Sequence, residues 1–399
     1  MISFASELQQ RLAAIRAQGL LRELRQVDSP QGPRINIGER EFLNFSSNDY
    51  LGLANHPALK AAAIKATEQY GAGAGASRLI CGSLAPFHEL EETLANFKNT
   101  EAALTFSTGY AAAIGTITAL LGKDDIIIVD KLVHACIVDA AKLSGAKLRV
   151  FAHNDLNDLE EILKWADSKS RFTPHTSRPV IVTESIFSMD GDAAPLQEIV
   201  SLKEKYGAWL MVDEAHATGL YGHHRRGRAE ELGVSDRIEI QMGTLGKAIG
   251  ASGGYICGSR ALIDYLVNRA RSFIFSTAAV PAAAAGAHAS IQLIQSDAGT
   301  SLNRTLWSHV TGFQSAIGHQ PSAIPSAILP LILGDEAKAV AAATQLREQG
   351  IFVPAIRYPT VARGAARLRV TLTAAHCPED ISTLARALKT LDLELQALY

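Results

Sequence analysis

The chain has 399 residues, of which 47% are hydrophobic and 20% charged, and 38 basic against 40 acidic side chains give a net charge of −2. This apolar fraction is typical of a globular protein with a large core, which excludes a mainly disordered chain. The near-neutral charge provides no electrostatic footprint for nucleic acid. The four cysteines are far apart and form no C-x-x-C pair, so neither a zinc site nor a disulfide framework is expected.

The N-terminal segment and one uncharged stretch bear on the location of the protein. Residues 1–24 carry charges throughout and lack the apolar core of a signal peptide, so they predict an amphipathic helix and a cytoplasmic protein. No residue between Glu101 and Lys123 is charged, and this length could span a bilayer. Because the stretch also contains threonines, a serine and glycines, we interpret it as a strand and a buried helix of an α/β core.

Short β-branched runs alternate with helical segments through the middle of the chain. The predicted strands are 103–107, 125–130, 147–151, 179–185, 208–215, 238–244 and 253–259. Such alternation, with strands that are almost continuously apolar, predicts a mostly parallel sheet covered by helices on both faces. We expect three parts in chain order: an N-terminal helix and arm over 1–45, a large α/β domain over 46–285, and a smaller α+β domain over 286–399.

Ligands of open α/β sheets bind beyond the carboxyl ends of the strands, so polar residues at these ends are candidate site residues. Residues 107–110 follow the first predicted strand, where a helix N-terminus and a glycine could hold a phosphate. A plain helix cap explains them equally well. His134 opens a helix after the second predicted strand, and a lone histidine in such a place is more often structural.

Two further strand ends carry more reactive groups. Asp213 and His216 follow an apolar run, and a carboxylate at the tip of a buried strand is costly unless it holds a cation or a metal. Lys247 lies in a glycine-rich loop after the strand 238–244, where it could serve as a nucleophile or a base. A solvated loop lysine is the commoner case, so the loop alone does not decide between these interpretations.

Taken together, His134, the Asp213–His216 strand end and the Thr244–Lys247 loop resemble the α-oxoamine synthase family. These fold-type I pyridoxal phosphate (PLP) enzymes condense an amino acid with an acyl-CoA and release carbon dioxide. The resemblance covers about residues 20 to 395. It implies an aspartate aminotransferase-like α/β fold, with a mostly parallel seven-stranded sheet in the large domain and a smaller C-terminal domain. It also implies a homodimer with active sites at the subunit interface.

Four further stretches, 44–53, 187–192, 356–360 and 366–376, are similar to one branch of this family. That branch joins L-alanine to pimeloyl-CoA, or to a pimeloyl-carrier protein, in biotin biosynthesis. Two alternatives stay open. One is the reaction of glycine with acetyl-CoA catalysed by 2-amino-3-ketobutyrate CoA ligase, and the other is a non-catalytic partner subunit of the same fold.

The resemblance implies roles for individual side chains. Lys247 binds PLP covalently and then acts as general base, Asp213 pairs with the pyridine nitrogen, and His134 stacks on the ring beside the substrate. The other cofactor contacts that it implies are Gly109, Tyr110, Ser188, His216 and Thr244. The substrate contacts that it implies are Arg22 and Thr360 for the acyl chain, and Arg369, with Arg367 in reserve, for the amino-acid carboxylate. No metal is implied.

Two residues depart from the pattern of the family. Ala217 stands where the family often has glycine, and Arg225 replaces a glycine of the usual G-x-x-G-R-G loop. Neither residue carries one of the reacting groups. The departures therefore put the shape of this loop in doubt, but not the reaction.

Overall fold

The computed structural model describes residues 3–170, 178–318 and 324–391. The strands in these ranges are β1 Arg34–Ile37, β2 Arg40–Asn44, β3 Ala102–Phe106, β4 Ile126–Asp130, β5 Lys147–Phe151, β6 Val180–Glu184, β7 Trp209–Asp213, β8 Ile240–Thr244, β9 Gly254–Gly258, β10 Ile328–Gly334, β11 Ile351–Phe352, β12 Ala355–Ile356 and β13 Ala366–Thr371. The helices are α1 Phe4–Ala17, α2 Pro57–Tyr70, α3 Ala85–Lys98, α4 Gly109–Leu120, α5 Ala135–Ser144, α6 Leu156–Ser170, α7 Leu196–Lys205, α8 Arg228–Glu231, α9 Arg260–Arg269, α10 Arg271–Ile274, α11 Pro281–Gln295, α12 Asp297–Ala316, α13 Glu336–Glu348 and α14 Pro378–Thr390.

The chain divides into two compact units. Residues 48–307 form one unit, and the described parts of 1–47 and 308–399 form the other. The predicted domains, with boundaries after residues 45 and 285, remain a prediction, and the ends of that division at 1–2 and 392–399 lie outside the described residues. The first 47 residues fall in the smaller unit because β2 pairs in parallel with β11.

The larger unit contains a seven-stranded sheet with the order β3-β9-β8-β7-β6-β4-β5. Strand β9 is antiparallel to both of its neighbours, and the other six strands all run in one direction. The carboxyl ends of those six strands therefore meet at one edge of the sheet. This mostly parallel architecture confirms the predicted fold class.

Both faces of this sheet are covered. Ile127 and Val129 of β4 pack on one face in a cluster that includes residues of α4, α5 and α9. Ile126 and Ile128 pack on the other face in a cluster that includes residues of α6 and α7. Alternate side chains of a strand point to opposite faces, so a strand buried on both sides becomes continuously apolar. For this reason all seven predicted strands match observed ones to within two residues.

The uncharged stretch between Glu101 and Lys123 folds as β3 followed by α4, as predicted. Every residue of β3 is buried in the sheet. Across the described ranges, no helix combines the length and the apolar character needed to cross a membrane.

The smaller unit has two three-stranded sheets, ordered β1-β2-β11 and β10-β13-β12. In the second sheet β13 pairs antiparallel with both neighbours, and all six residues of β13 are buried. Helices and strands are mixed in this unit, which agrees with the predicted α+β character of the C-terminal part. Strand β13 carries the two arginines that were predicted to bind the amino-acid carboxylate.

Candidate active site

A cleft lies at the edge of the seven-stranded sheet where the parallel strands end. Its lining consists of Gly109, Tyr110, His134, Cys136, Glu184, Asp213, Ala215, Met242, Thr244 and Lys247. These residues follow or end β3, β4, β6, β7 and β8. Six of the eight predicted cofactor contacts line this cleft, and the other two, Ser188 and His216, bind to lining residues, as described below.

The N-terminus of α4 forms one wall of the cleft. Thr108 caps the helix, and its hydroxyl accepts a hydrogen bond from Ala111 N–H at 3.0 Å. A Cβ atom on Gly254 would lie 2.5 Å from the nitrogen of Gly109, so β9 approaches the helix end at a distance that only glycine allows. The unpaired N–H groups of a first helical turn bind anions. This wall therefore fits a phosphate group.

His134 follows strand β4, and two hydrogen bonds fix its position. Its N–H donates a hydrogen bond to Glu184 Oε1 at 2.5 Å, and its Nδ1 accepts one from Cys136 N–H at 3.2 Å, which caps α5. Partial burial lowers the pKa of His134 below its usual value. The ring is therefore neutral at pH 7 and lies on the cleft wall as a flat, uncharged surface.

Two acidic residues stand side by side in the lining. Glu184 and Asp213 are register partners at the ends of β6 and β7 and are 2% and 4% exposed, so both carboxyl groups face the same low-dielectric space. Burial, followed by the negative charge of Asp213, raises the pKa of Glu184 well above its usual range. Burial also raises the pKa of Asp213, but the nearby Lys247 and the Ala215 N–H oppose this rise. Burial therefore favours the neutral form of both carboxyl groups, more strongly for Glu184, while Lys247 favours the charged form of Asp213.

Lys247 belongs to a chain of buried hydrogen bonds. Its Nζ lies 2.6 Å from His216 Nε2, and His216 Nδ1 lies 2.6 Å from the hydroxyl of Tyr50. The Tyr50 hydroxyl in turn donates to Asn48 Oδ1 at 3.3 Å. The loop lysine is therefore not simply solvated, because a buried histidine fixes the position of its amine.

A buried ion pair supports the strand end that carries Asp213. Lys98 Nζ lies 2.5 Å from Glu214 Oε2, and both side chains are at most 1% exposed. Lys98 also donates to the carbonyl of Arg226, and Glu214 Oε1 accepts a hydrogen bond from Ala229 N–H. The pair thereby fixes the loop after β7 against the end of α3.

The segment that contains Ser188 is fastened by His153. The ring nitrogens Nδ1 and Nε2 of His153 lie 2.9 Å from Asp130 Oδ1 and 2.7 Å from Asp192 Oδ2. The N–H of Ser188, four residues before Asp192, is bound by Glu184. The imidazolium therefore joins the end of β4 to the Ser188 segment.

His153 and its two partners, Asp130 and Asp192, form a clamp between the two segments. We expect this clamp to make the stability of the fold depend on pH. Burial lowers the pKa of His153, but the hydrogen bonds to Asp130 and Asp192 outweigh it and raise the pKa to about 10. A folded-state pKa above the unfolded value of about 6.5 stabilises the fold below that value, and the stabilisation is lost as pH rises towards 10. His153→Gln should lower the free energy of unfolding at pH 6 by about 2 kcal/mol. The deficit should shrink steadily by pH 10 in urea titrations.

The matched control for this prediction is His288→Gln. His288 bonds the side chains of Thr93 and Gln292 and has no carboxylate among these partners, so its replacement removes a histidine without removing a contact to an acidic residue. A deficit of His153→Gln that stayed constant over this range would show that the clamp is uncharged.

The predicted substrate contacts lie in the smaller unit. Arg22 Nη2 donates to the Thr360 hydroxyl at 3.2 Å, so the two residues predicted to contact the acyl chain are neighbours. The guanidinium of Arg357 donates to the carbonyls of Gly19 and Leu21 and holds this arm in place.

The two candidate carboxylate ligands are also buried in this unit. Arg367 and Arg369 are 5% and 4% exposed and lie two residues apart on β13. Arg369 Nη1 donates to the Thr371 hydroxyl at 3.0 Å, and Arg367 Nε donates to the carbonyl of Ala365 at 3.1 Å. Since both guanidinium groups are buried and engaged, the choice of Arg369 over Arg367 stays a prediction.

The loop with the two departures keeps a left-handed turn. Arg225 has a φ of +61° where the family pattern has glycine. Such a conformation costs a non-glycine residue about 1 kcal/mol. The side chain offsets part of this cost, since Arg225 Nε donates to the carbonyl of Ile294 at 2.7 Å. Ala217 is fully buried.

Residues 40–388 match the family described as aminotransferase class I and II. The chain belongs to this family. Its curated relatives include the 8-amino-7-oxononanoate synthases of Geotalea daltonii, 46% identical over 97% of both chains, and of Geobacter sulfurreducens, 46% identical over 98% of both. These matches confirm the resemblance predicted from the motifs.

Solved structures agree with this membership. A serine palmitoyltransferase from S. paucimobilis with a bound PLP–myriocin aldimine matches with a TM-score of 0.88 and 28% identity, over 96% of each chain. An 8-amino-7-oxononanoate synthase from Francisella tularensis matches with a TM-score of 0.72 and 28% identity, over 88% of this chain and 96% of that one. The fold is that of the fold-type I PLP-dependent transferases.

The residues at the cleft of this family member fit PLP. The N-terminus of α4, crossed closely by Gly254, fits the phosphate, and the buried carboxyl group of Asp213 fits a protonated pyridine nitrogen. The amine of Lys247 lies in the same lining and fits the aldehyde carbon.

Sequence reasoning missed two residues of this site. Glu184 ends β6 and binds the N–H of His134, and Tyr50 binds His216. Tyr50 lies in the stretch 44–53 that carries the resemblance, and Glu184 lies at the end of a predicted strand. The spacing of these two residues to other residues does not distinguish them from ordinary polar residues. Position at a strand end was the one signal that could have identified Glu184.

Proposed function

We propose that this protein condenses L-alanine with a pimeloyl thioester, with loss of carbon dioxide, to give 8-amino-7-oxononanoate in biotin biosynthesis. The proposal rests on the clustering of Lys247, Asp213 and His134 in one cleft, in a chain 46% identical to a named 8-amino-7-oxononanoate synthase over 97% of its length. The names of these relatives do not favour the reaction of glycine with acetyl-CoA. The presence of Lys247 argues against a non-catalytic subunit.

PLP is the cofactor, and when bound it supplies an electron sink for a carbanion at Cα of an amino acid. Asp213 holds the pyridine nitrogen in its protonated form, because a buried carboxylate stabilises a cation beside it. Lys247 is the covalent attachment point. With the substrate amine on the cofactor, the free Nζ of Lys247 would remove the Cα proton as general base.

The remaining cofactor contacts orient the ring. The first turn of α4, with Gly109 and Tyr110, and Thr244 on β8 bind the phosphate. The neutral ring of His134 would stack on the cofactor and lie beside the substrate. His216 would hydrogen-bond the phenolic oxygen of the ring, and Ser188 would also contact the cofactor.

The carboxylates of the two substrates require cationic partners. We assign the carboxylate of L-alanine to Arg369, since a guanidinium binds a carboxylate through two parallel hydrogen bonds. The distal carboxylate of the pimeloyl chain is assigned to Arg22 and Thr360, whose side chains already bond to each other.

Arg22→Ala is expected to raise KM for pimeloyl-CoA by about ten- to a hundredfold, because a hydrogen bond to a charged group contributes about 1.5–3 kcal/mol. The value of kcat should change by less than about threefold, since Arg22 would contribute equally in the ground state and the transition state. Steady-state kinetics with pimeloyl-CoA and heptanoyl-CoA measure this. The second thioester has the same chain length but no distal carboxylate.

Arg25→Ala is the matched control, because Arg25 lies on the same arm and its guanidinium stands over the ring of Phe352. It should leave both KM values close to those of the wild type. An equal rise of KM for both thioesters in Arg22→Ala would show that Arg22 does not contact the carboxylate.

We also propose a homodimer. Leu79, Ile80 and Phe275 are 50%, 79% and 70% exposed, and the segments that carry them are joined by an antiparallel bridge between Ser77 and Thr277. Large apolar side chains exposed together are typical of an interaction surface. Sedimentation velocity should give twice the chain mass of 42.6 kDa. A cytoplasmic location is also part of the proposal.

The experiment that tests the proposed reaction is thiol release by the PLP-loaded protein. Fast release from pimeloyl-CoA with L-alanine, and slow release from acetyl-CoA with glycine, is the expected result. The reverse order would overturn the substrate assignment and keep the family. No release with either pair, together with activity on a pimeloyl-carrier protein, would identify the carrier protein as the acyl donor.

A further inference from the structure

The hydrogen bonds around His216 define which of its ring nitrogens carries the proton. Tyr50 is 1% exposed, and its hydroxyl has one proton. Asn48 Oδ1 lies 3.3 Å from this hydroxyl and can only accept a hydrogen bond, so it is one acceptor for that proton. The same hydroxyl lies 2.6 Å from His216 Nδ1, and Nδ1 is the donor in that contact when the hydroxyl proton is directed to Asn48.

The other ring nitrogen of His216 then faces Lys247 with a lone pair. A neutral imidazole has one N–H donor and one acceptor nitrogen, so a proton on Nδ1 leaves Nε2 as the acceptor. Lys247 Nζ lies 2.6 Å from this atom and donates to it. The order of donors therefore runs from Lys247 to His216, from His216 to Tyr50, and from Tyr50 to Asn48.

We propose that Tyr50 is a positioning residue that fixes His216 as the Nδ1–H tautomer, so that Nε2 accepts a proton from the ammonium group of Lys247. In this step the N–H bond of the Lys247 ammonium breaks and an N–H bond to Nε2 forms. The products are a neutral amine, which keeps its electron pair as a nucleophile, and a His216 imidazolium. The total charge of the pair is unchanged.

The purpose of this proton transfer depends on the proposed attachment of PLP at Lys247. The hydrogen-bond geometry from which it is inferred does not depend on that attachment. Only the neutral amine can attack the aldehyde carbon of PLP. A buried acceptor 2.6 Å from Nζ keeps that form available. Tyr50, which we do not place in contact with PLP, thus acts on cofactor attachment through His216.

Two measurements on the full-length protein test this proposal. The first is the ¹⁵N spectrum of the histidine rings, with His216 assigned by its loss in His216→Gln, recorded with PLP bound and after its removal. The wild type should show a proton on Nδ1, and Tyr50→Phe should shift His216 towards the Nε2–H form. The second is the rate of PLP attachment followed by absorbance. Tyr50→Phe should slow it by about three- to tenfold, which corresponds to one neutral hydrogen bond.

Tyr255→Phe is the matched control. Tyr255 is fully buried in the same unit, and its hydroxyl bonds Thr218 at 2.7 Å, so the variant loses the same group at equal burial. It should leave both the His216 spectrum and the attachment rate unchanged. If both phenylalanine variants slow attachment equally, the effect of Tyr50 is general packing and the proposal is wrong.

A second variant tests the same proposal if Tyr50→Phe does not fold. Asn48→Ala keeps the Tyr50 hydroxyl but removes its acceptor, which frees the hydroxyl proton for His216 Nδ1. It should also increase the Nε2–H form. An unchanged His216 spectrum in a folded Tyr50→Phe or Asn48→Ala variant would overturn the proposal. If PLP fails to attach to the wild-type lysine, the proposed function fails, while the tautomer measurement still decides the role of Tyr50.

Discussion

Lys247→Ala is expected to abolish both covalent binding of PLP and turnover. The side chain supplies the amine for attachment and the base for the Cα proton, and no other lysine lines the cleft in the described part of the chain. We expect a loss of at least about a thousandfold in kcat, because a general base alone contributes about 10²–10⁴. Borohydride reduction followed by mass spectrometry measures attachment, and thiol release measures turnover.

Lys247→Arg is the control for the charge of Lys247. A guanidinium keeps the positive charge beside His216 but does not form a covalent bond with an aldehyde at neutral pH. It should therefore lack the reduced adduct and be as inactive as the alanine variant, while its thermal unfolding stays close to that of the wild type. An adduct at another lysine in either variant, together with activity, would disprove the assignment of Lys247.

Asp213→Asn is expected to reduce kcat by at least about a hundredfold, or about 2.7 kcal/mol of activation free energy. An amide cannot stabilise a protonated pyridine nitrogen as a carboxylate does, so the electron sink weakens. The fold should survive, because Asn keeps an oxygen for the Ala215 N–H. Steady-state rates and circular dichroism measure the two effects. A rate within about threefold of the wild type would contradict the role of Asp213.

Glu184→Gln separates the effect of charge from the effect of position. Glu184 lies beside Asp213 on the sheet, and burial raises its pKa well above the usual range, which favours the neutral form. Glutamine resembles that neutral form and still accepts from His134 N–H. We expect kcat to stay within about threefold of the wild type. An equal loss in both variants would place negative charge on Glu184 as well.

The strands of the fold could be predicted where burial makes their residues almost all apolar. Strands such as β4 and β6 are buried on both faces and read as apolar runs, so their bounds were predictable. The direction of β9 was not stated in the prediction, although residues 245–253 are too few for the crossover that parallel strands require. Strands β1 and β2 were missed because only alternate or scattered positions in them are buried.

The site was predictable to a smaller extent. Strand-end position identified Asp213, His216 and Lys247 as candidates, but their roles came from the family resemblance. The contact between Arg22 and Thr360 joins residues 338 positions apart, and no local pattern reveals such a pair. Tyr50 escaped notice because its importance lies in a hydrogen bond to His216, 166 positions away.

The ion pair of Lys98 and Glu214 limits how this protein can change during evolution. Loss of either partner alone leaves a buried charge uncompensated, at a cost of about 3–5 kcal/mol, which is a large part of the stability of a typical domain. Joint replacement by apolar residues of similar volume is often neutral. We therefore expect the two positions, 116 residues apart, to be substituted together rather than singly. We therefore expect the buried ammonium group at the end of α3 to limit which substitutions the segment beside Asp213 can accept.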